Sequence, residues 1–194
     1  MNDAGDPYVY PGTVILRNKL AITDPAFLDK QERALVALRI RRSVPSGTFD
    51  LVHLRAIHRH LFQDVYDWAG ELRTVEISKG SQQFQFRKFI QTGMADVHAR
   101  LVRSGFLKGL PAEQFAGLAA VIIGDINYIH PFREGNGRTQ LQYLKQLSQQ
   151  AGHPLDPRRI AGPQWLAASI SSHSADYGLM TAAIAEALEP AKSP

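Results

Sequence analysis

The order of apolar and polar residues along the chain predicts a protein built mainly of helices. In several stretches apolar residues recur every three or four positions, which is the repeat of one helix face. The first such stretch follows Asp24, a residue type that caps helices, and has Pro25 at the favoured first helical position. Leu28, Leu35 and Leu38 then fall on one face, which predicts an amphipathic helix.

Further helices follow at the same spacing. A second helix is predicted over 49–68, with one apolar face: Leu54, Ile57, Leu61 and Val65. A third lies near 91–104. A fourth begins at Pro111, and its core stripe ends immediately before His130: Phe115, Leu118, Ile122, Ile126 and Ile129.

The last part of the chain is also helical in pattern. An apolar stripe follows the segment after His130, and Gly152 is the predicted stop of that helix: Leu141, Leu144, Leu147 and Ala151. Two more helices are predicted around Trp165 and over 179–188, and the terminal AKSP at 191–194 should fray.

One stretch alternates with a period of two, which is typical of a strand. Residues 74–78, Thr-Val-Glu-Ile-Ser, alternate in this way, Lys79-Gly80-Ser81 resembles a turn, and Phe84 and Phe86 alternate again. This pattern predicts a short β-hairpin. The fold class expected from the whole pattern is therefore all-α, a helical bundle with one small hairpin.

Composition limits the class of protein. A chain of 194 residues with 44% apolar and 21% charged residues fits one soluble domain with its own core. The absence of cysteine excludes disulfides and thiolate zinc sites. The longest apolar run, FAGLAAVIIG at 115–124, is too short to span a bilayer, and the start has no signal-peptide pattern, so a cytoplasmic protein without membrane contact is expected. The formal charge of +4 suits an anionic ligand.

The richest chemistry lies in HPFREGNGR at 130–138, between two predicted core helices. Gly135, Asn136 and Gly137 stand where a helix should begin, so free N–H groups and the helix dipole would attract a phosphate there. Glu134 would repel that phosphate unless a hard cation such as Mg²⁺ lay between them. Arg138 can add positive charge to the same phosphates.

A base completes the set. The imidazole of His130 titrates near neutral pH, which suits removal of a proton from a hydroxyl that attacks phosphorus. A base, a metal ligand, an anion cradle and a cation are the parts that phosphoryl or nucleotidyl transfer requires. Phe132 is expected to point inward and anchor the segment.

The motif resembles the signature of the Fic family, H-x-F-x-[DE]-G-N-G-R-x-x-R, at every specified position except the last, which is Leu141 here. The stretch DPYVYPGTVILRNKL resembles the N-terminal arm of bacterial FicT-type toxins, and YDWAGELRTVEISKG resembles the segment that leads into the family's flap hairpin. The resemblance covers residues 6 to about 155. It implies a single Fic domain over 1–194 with these parts: an arm at 1–20, a core at 21–155 with the flap at about 73–88, and C-terminal helices at 156–190.

The resemblance also implies an activity. Members of the family move AMP from ATP to a hydroxyl of a target protein, which makes the chain a protein adenylyltransferase with ATP as co-substrate. His130 would be the general base and Glu134 the Mg²⁺ ligand. The remaining motif residues would hold phosphates: Gly135, Asn136, Gly137 and Arg138.

The flap is expected to hold the target by strand addition beside the active site. Lys79 is a candidate contact near the nucleotide. The candidate target contacts are these: Thr74, Val75, Glu76, Ile77, Ser78 and Phe84. For Phe84, simple packing is an equally good interpretation.

Leu141 leaves alternatives open, because the family uses an arginine there to hold the γ-phosphate. Loss of such a contact weakens binding by roughly 1.5–3 kcal/mol. The fold would then use another nucleotide, transfer a phosphoryl group, or serve as a catalytically weakened protein- or nucleotide-binding module. Doc-like kinases also lack this arginine, but they carry Asn-Lys where this chain has Asn136-Gly137, which favours nucleotidyl transfer. Packing alone accounts for Leu141, since Leu144 continues the same stripe.

Partners follow from the resemblance too. The inhibitory string [ST]-x-x-x-E-[GN] is absent from the sequence, so inhibition is expected from a separate small antitoxin. Type II topoisomerase subunits, of DNA gyrase or topoisomerase IV, are the first candidate targets of a FicT-like toxin. Direct nucleic-acid binding is not expected. The trio His53, His58 and His60 is interpreted as ordinary core and surface histidines rather than a metal site.

Overall fold

A computed structural model describes residues 6–80, 82–160 and 162–188. Seven α-helices and one two-stranded hairpin occur in these ranges, which confirms the predicted fold class. The helices are α1 Pro25–Ile40, α2 Leu51–Phe62, α3 Ile90–Arg103, α4 Ala112–Ile129, α5 Asn136–Ala151, α6 Gly162–Ser171 and α7 Gly178–Ala187. The strands are β1 Ser78–Lys79 and β2 Gln82–Gln83, paired antiparallel. The terminal AKSP lies outside the described residues.

Helix α4 is the centre of the bundle. It packs against α3, α5 and α7, while α2 packs against α1 and α5. Phe115, Ile122, Ile126 and Ile129 of α4 are buried, in keeping with the predicted stripe. Within the described ranges, no helix is both long enough and apolar enough to cross a bilayer.

Several predicted boundaries agree with the structure. Asp24 caps α1 by accepting a hydrogen bond from the N–H of Phe27 at 2.7 Å, and Pro25 is the first helical residue. Gly152 ends α5 with φ of 90°, in the left-handed region. The loop at 130–135 is thus fixed at both ends, by the last turn of α4 and the first turn of α5.

The predicted stripe of α1 is wrong at its C-terminal end. Leu38 is 52% exposed, and the buried positions are instead Leu28, Glu32 and Val36. An acidic residue takes a core position because its carboxylate has partners there, the guanidinium of Arg138 and the hydroxyl of Tyr66. Leu118 of α4 is likewise exposed, at 45%.

Helix α2 is shorter than predicted, since it ends at Phe62 rather than Trp68. The chain turns after Phe62, and the N–H groups of Val65 and Tyr66 both donate to the Phe62 carbonyl at 2.9 Å. The carbonyl of Val65 accepts from the N–H of Lys19 in the N-terminal arm, at 2.8 Å. Val65 is fully buried, as its place in the apolar pattern predicts, although it lies beyond the helix.

The hairpin is also shorter than its pattern suggests. Only Ser78 and Lys79 pair with Gln83 and Gln82, and neither 74–77 nor 84–86 is a strand. One more backbone bond extends the pairing, from the N–H of Phe84 to the Ile77 carbonyl at 3.3 Å. Beyond it, the carbonyls of Val75 and Gln85 accept from the Arg73 side chain. The N–H of Gln85 donates to the Tyr128 carbonyl of α4, at 3.1 Å. The hairpin is therefore tied to the bundle at its base.

Candidate active site

A cavity of about 540 Å³ lies beside the loop between α4 and α5. The loop forms one wall, the hairpin a second, and α6 a third. The predicted site residues that line it are Glu76, Ile77, Ser78, Lys79, Phe84, His130, Glu134, Gly135, Asn136 and Gly137. Thr74, Val75 and Arg138 do not line it. The fold thus brings most of the candidate residues to this one cavity.

His130 caps the C-terminus of α4 in a left-handed conformation, with φ of 48° and ψ of 64°. This conformation costs a non-glycine residue about 1–3 kcal/mol and often marks functional sites. It turns the chain sharply, so that the loop leaves the helix axis. Its carbonyl accepts from Nε of Arg73 at 2.8 Å, which helps to hold the turn.

The hydrogen bonds of His130 fix its tautomer. Nδ1 lies 3.0 Å from the carbonyl oxygen of Asn127, and because a carbonyl only accepts, Nδ1 carries the proton. Nε2 is then unprotonated in the neutral ring. The pKa of His130 is lowered to about 4: burial is the largest cause, the Asn127 hydrogen bond opposes it, and the nearby Arg73 charge acts in the same direction as burial. The ring is therefore neutral at pH 7 and able to accept a proton.

Phe84 of the hairpin covers the imidazole. The two rings stack with centroids 3.7 Å apart and planes inclined by 25°. Phe84 is buried, at 6% exposure, whereas Phe86 is 54% exposed. Packing is thus established for Phe84, and part of the burial that depresses the His130 pKa comes from the flap.

The loop is closed by its own asparagine. Oδ1 of Asn136 accepts from the N–H of Phe132 at 3.0 Å, and Nδ2 donates to the Phe132 carbonyl at 2.8 Å. Phe132 itself is 1% exposed, which confirms that it anchors the segment. The side chain of Asn136 therefore shapes the loop, and the residue also lines the cavity.

Helix α5 begins at the cavity without a side-chain cap. Its N-cap is Gly135, with φ of 84° and no capping side chain. The first-turn N–H groups of an uncapped helix attract anions. A Cβ built on Gly137 would meet nothing within 4 Å, so the space above that backbone is open. These features fit the predicted phosphate cradle.

Glu134 presents a carboxylate that is 47% exposed, at the cavity wall. Its Oε1 accepts from the N–H of Gly135 at 2.8 Å and lies 3.4 Å from Nη2 of Arg138. Among the described residues, no group of three or more His, Cys, Asp or Glu side chains converges on one point. A cation here would thus have one protein carboxylate and take its other oxygens from phosphates and water, which is how Mg²⁺ usually binds beside nucleotides.

Arg138 lies behind the cradle rather than in it. Its guanidinium pairs with the buried Glu32 of α1 at 2.5 Å and stands 4.7 Å above the Phe62 ring. Glu32 also accepts a short hydrogen bond from the Tyr66 hydroxyl. The pairing explains the buried acid of α1. The predicted phosphate contact of Arg138 requires the side chain to leave this pair.

Lys79 supplies the cavity with a positive charge of its own. It is exposed at the tip of the hairpin and lines the cavity. Arg133, by contrast, is held by Asp6 of the N-terminal arm through Nη2 at 2.7 Å. Within the described ranges no carboxylate pairs with Lys79, which leaves its ammonium available to an anionic ligand.

Sequence reasoning missed His58, which it treats only as a metal candidate or an ordinary histidine. Its Nδ1 accepts from the N–H of Gly70 at 2.8 Å, so Nε2 carries the proton and donates to the Glu134 carbonyl at 2.9 Å. The ring also stacks on Phe132 with centroids 3.9 Å apart. Burial lowers its pKa to about 4. His58 is a support beneath the loop, and no local pattern signals this.

The cavity wall contains other residues that the sequence does not single out. Trp165, Leu166 and Ser169 come from α6, and Asn127 and Gln140 come from the two helices that flank the loop. Arg73, which is fully buried below the hairpin, was also missed. Thr74 and Val75 turn their polar groups to the protein: the Thr74 N–H donates to the Tyr8 hydroxyl, and the Val75 carbonyl accepts from Arg73.

Comparisons with known proteins agree with this geometry. The model of the Fic/DOC family matches residues 48–147. A probable protein adenylyltransferase of Sinorhizobium fredii, y4lH, is 41% identical over 184 residues, which are 94% of this chain and 96% of that protein. The protein adenylyltransferase VbhT of Bartonella schoenbuchensis is 39% identical over 93% of this chain, but this match covers only 38% of VbhT.

Solved structures have the same fold. The BepC protein of Bartonella tribocorum, crystallised with bound AMPPNP, superposes with a TM-score of 0.86 at 27% identity, over 95% of this chain and 97% of that one. An N-terminal Fic domain from Bartonella quintana with bound ADP gives 0.86 at 28% identity, over 95% of each chain. The prediction of an enzyme of the protein adenylyltransferase class agrees with the names of the sequence relatives. By its motif, its fold and these matches, the chain belongs to the Fic/DOC family.

Proposed function

We propose that the protein transfers AMP from ATP to a hydroxyl side chain of a target protein, with Mg²⁺ as the metal. The observation that supports this most directly is the neutral His130, with Nε2 unprotonated, in the wall of a cavity that also contains an open helix N-terminus. The names of the sequence relatives and the AMPPNP and ADP bound in related structures support the same choice of nucleotide.

His130 is the general base of the proposed reaction. Nε2 takes the proton from the target hydroxyl as its oxygen bonds to the α-phosphorus of ATP. The bond from that phosphorus to the bridging oxygen of the β-phosphate breaks, and pyrophosphate leaves. A pKa of about 4 means that the base is already neutral at physiological pH, so no proton must first be lost.

The first turn of α5 holds the phosphates. The backbone N–H groups at Asn136 and Gly137 face the charge that builds up in the transition state, and preorganised donors of this kind are worth about 3 kcal/mol each. Lys79 lines the cavity on the hairpin side and adds the positive charge of its ammonium group. Glu134 would hold Mg²⁺, which would neutralise phosphate charge when bound.

The hairpin presents the target. In this proposal Glu76, Ile77 and Ser78 offer their backbone to an incoming strand above the cavity, since they line it and the ladder ends beside them. Thr74 and Val75 are left as part of the hairpin base. The rest of the contact surface would come from the target.

Label transfer tests the proposed reaction. Incubation with α-labelled ATP, Mg²⁺ and a cell lysate should label a protein or the chain itself, and His130→Ala should lower the rate by at least about 100-fold. His60→Ala is a matched control, because His60 lies on α2 outside the cavity and bonds only to the Arg39 carbonyl among described residues. Labelling that survives in His130→Ala would reject His130 as the base.

Leu141 supports a second candidate function, in which the donor or the transferred group differs. Its side chain is partly buried against the core, so it offers the cavity no charge where the family signature has arginine. Competition among ATP, GTP, CTP and UTP, with α- and γ-labels compared, separates these cases. Transfer of γ-label alone would indicate a kinase.

A binding module with weakened catalysis is the remaining alternative. It predicts tight nucleotide binding without label transfer from any donor. Leu141→Arg would then identify the defect: recovery of a rate some tenfold or more higher corresponds to the roughly 1.5–3 kcal/mol of a charge-assisted phosphate contact.

A toxin-like role, control by a separate antitoxin and a location in the cytoplasm are further proposals. The toxin-like role and the antitoxin rest on the resemblance of the motif and the arm, together with the absence of the inhibitory string from the sequence, and the location rests on the signal-peptide and apolar-run patterns of the sequence. Purified DNA gyrase and topoisomerase IV subunits are the first targets to try. Intact-mass spectrometry of each subunit after incubation should show an increase equal to one adenylate group.

A further inference from the structure

Arg73 occupies an unusual position between the hairpin and the catalytic loop. Its side chain is fully buried, although arginine is a residue type that is seldom buried without a paired carboxylate. One carboxylate does approach it, Glu76 at 3.2 Å, but from the rim of the site, where the acid is 41% exposed. The remaining contacts of the guanidinium are backbone carbonyl oxygens.

All five N–H groups of this guanidinium have an acceptor. Nε donates to the His130 carbonyl at 2.8 Å, and Nη1 donates to the Val75 carbonyl at 2.8 Å as well as to Glu76. Nη2 donates to the carbonyls of Gln85 and Ile129, the second at 3.4 Å. Every donor of the planar guanidinium is thus used. A lysine has only three donors, all on one nitrogen atom, so it cannot make the same set of bonds.

These acceptors belong to two separate units. His130 and Ile129 form the left-handed turn that carries the base, and the backbone N–H of Arg73 adds a third bond to this side, to the Pro131 carbonyl at 2.9 Å. Val75 and Gln85 belong to the two arms of the hairpin, one on each side of its strands. One side chain therefore joins both arms of the flap to the turn at the base.

We infer that Arg73 is a positioning residue that sets the distance and register between the target-binding hairpin and the imidazole of His130. The inference rests on the proposed function, because it explains how a hydroxyl held by the hairpin meets Nε2. Within the described ranges the hairpin consists of two short strands that pair with no further strand, so its own ladder does not fix its position on the bundle. The stacking of Phe84 on His130 is then a consequence of the same tie.

The magnitude of the effect follows from geometry. Displacing a reacting group by about 1 Å costs a reaction on the order of 100-fold in rate. The phosphate cradle at 135–137 makes no contact with Arg73 among the described residues, so nucleotide binding should be spared. A role in positioning therefore predicts a split: a lower rate of transfer with an unchanged dissociation constant for ATP.

The test compares Arg73→Lys with the wild-type protein. Arg73→Lys should lower the rate of label transfer on the order of 100-fold and leave ATP affinity within about twofold. In NMR spectra, the ring protons of His130 should lose the ring-current shift that the stacked Phe84 imposes. Arg100→Lys is the matched control, since Arg100 is a partly buried arginine between Asp96 and Asp125, away from the cavity. It should lower stability without altering the transfer rate or the His130 spectrum.

Glu76→Gln is a milder second variant in case Arg73→Lys does not fold. It removes the one carboxylate partner of Arg73 while the carbonyl acceptors remain, so a smaller loss of transfer is expected, with the His130 resonance displaced in the same direction. Wild-type transfer together with a wild-type His130 spectrum in the folded variants would overturn the inference. The spectrum also separates the two proposals: a displaced His130 resonance in a protein that never transfers label would reject the proposed function and retain the positioning role.

Discussion

Gly135 and Gly137 are separated by one residue and meet different physical requirements. Gly135 has φ of 84°, and a Cβ there would lie 2.3 Å from the Phe62 ring, so the protein itself excludes a side chain. Gly137 is helical, and a Cβ there would meet nothing within 4 Å. The second glycine is thus explained by the ligand rather than by the fold, since a missing side chain lets phosphate approach the backbone.

This difference predicts opposite effects of the same substitution. Gly137→Ala should leave the free energy of unfolding unchanged or raise it by up to about 1 kcal/mol, because alanine favours helix. It should nevertheless lower ATP affinity and label transfer by tenfold or more, measured by calorimetry and by the labelling assay. Gly135→Ala is the comparison, and it should destabilise the fold by about 1–3 kcal/mol in urea unfolding. Full activity in Gly137→Ala would show that nothing occupies that space during the reaction.

Phe84 gives a second prediction for a single residue. Because burial is the main cause of the low His130 pKa, Phe84→Ala should raise that pKa from about 4 toward the ordinary value of about 6.5. The active form is neutral His130, so the acidic limb of the pH–rate profile should move to higher pH by the same amount. An NMR titration of the His130 ring measures the pKa directly. A pKa that stays near 4 in this variant would mean that the flap contributes little to the burial.

Sequence patterns predict the elements well where one physical effect decides them. The stripe at Ile57 and Leu61 is buried as expected, and Gly152 ends α5 because only a left-handed residue fits there. The motif at 130–138 identifies the loop because its functional residues are close together in the sequence. The predictions that are wrong share a different cause, which is a contact with a residue far away in the sequence. Glu32 enters the core because Arg138, more than a hundred residues away, pairs with it.

The predicted length of the hairpin strands is wrong for the same reason. Alternation at 74–78 is a real feature of the sequence, but ladder hydrogen bonds are lost where Arg73 and Tyr128 take the backbone groups. His58 is equally invisible, since its role depends on the Glu134 carbonyl and the Phe132 ring, neither of which is near it in sequence. Local patterns contain no information on such long-range bonds.

The ion pair between Glu32 of α1 and Arg138 of α5 predicts how strongly α1 is held to the bundle. Glu32 joins α1 to α5 through Arg138, and to the segment after α2 through the Tyr66 hydroxyl. Glu32→Ala should therefore lower the free energy of unfolding by about 1.5–3 kcal/mol, the usual value for hydrogen bonds to charged groups. The same helix offers a control in Arg33→Ala, because the Asp29–Arg33 pair is exposed and such pairs contribute about 0.3–0.5 kcal/mol.

Urea unfolding of both variants distinguishes the two kinds of ion pair. A double-mutant cycle with Arg138→Ala should give a coupling energy of at least about 0.5 kcal/mol between Glu32 and Arg138. Equal losses in Glu32→Ala and Arg33→Ala would show that α1 is held by its apolar residues alone, and that the buried acid contributes nothing to this attachment.

At the scale of the whole molecule, two buried histidines make stability depend on pH. His130 begins the loop and His58 contacts it at Phe132 and Glu134, and each ring makes its hydrogen bonds in the neutral form. Burial lowers both pKa values to about 4. In the unfolded chain both would titrate near 6.5. Between these values the unfolded state binds more protons, so acid favours unfolding.

The free energy of unfolding should therefore be fully present above about pH 6.5 and should fall as the pH is lowered toward 4. At pH 5 each histidine accounts for a loss of about 2 kcal/mol, at 1.36 kcal/mol per pH unit below 6.5. Urea unfolding at pH 7 and pH 5 measures the sum. This window isolates the histidines, because carboxylates with lowered pKa values, such as Asp64 and Asp156, affect stability only at lower pH.

His58→Gln tests the assignment, because an amide can still donate to the Glu134 carbonyl but does not titrate. The variant should be less stable than the wild type at pH 7, since the stacking on Phe132 is lost. Its stability should then fall less than that of the wild type between pH 7 and pH 5, with His130 and the partly buried His173, whose pKa is also lowered by burial, as the remaining contributors. An undiminished fall would mean that the proton taken up on acid unfolding binds elsewhere, and that protonation at Nδ1, where the Gly70 N–H now donates, does not open the molecule.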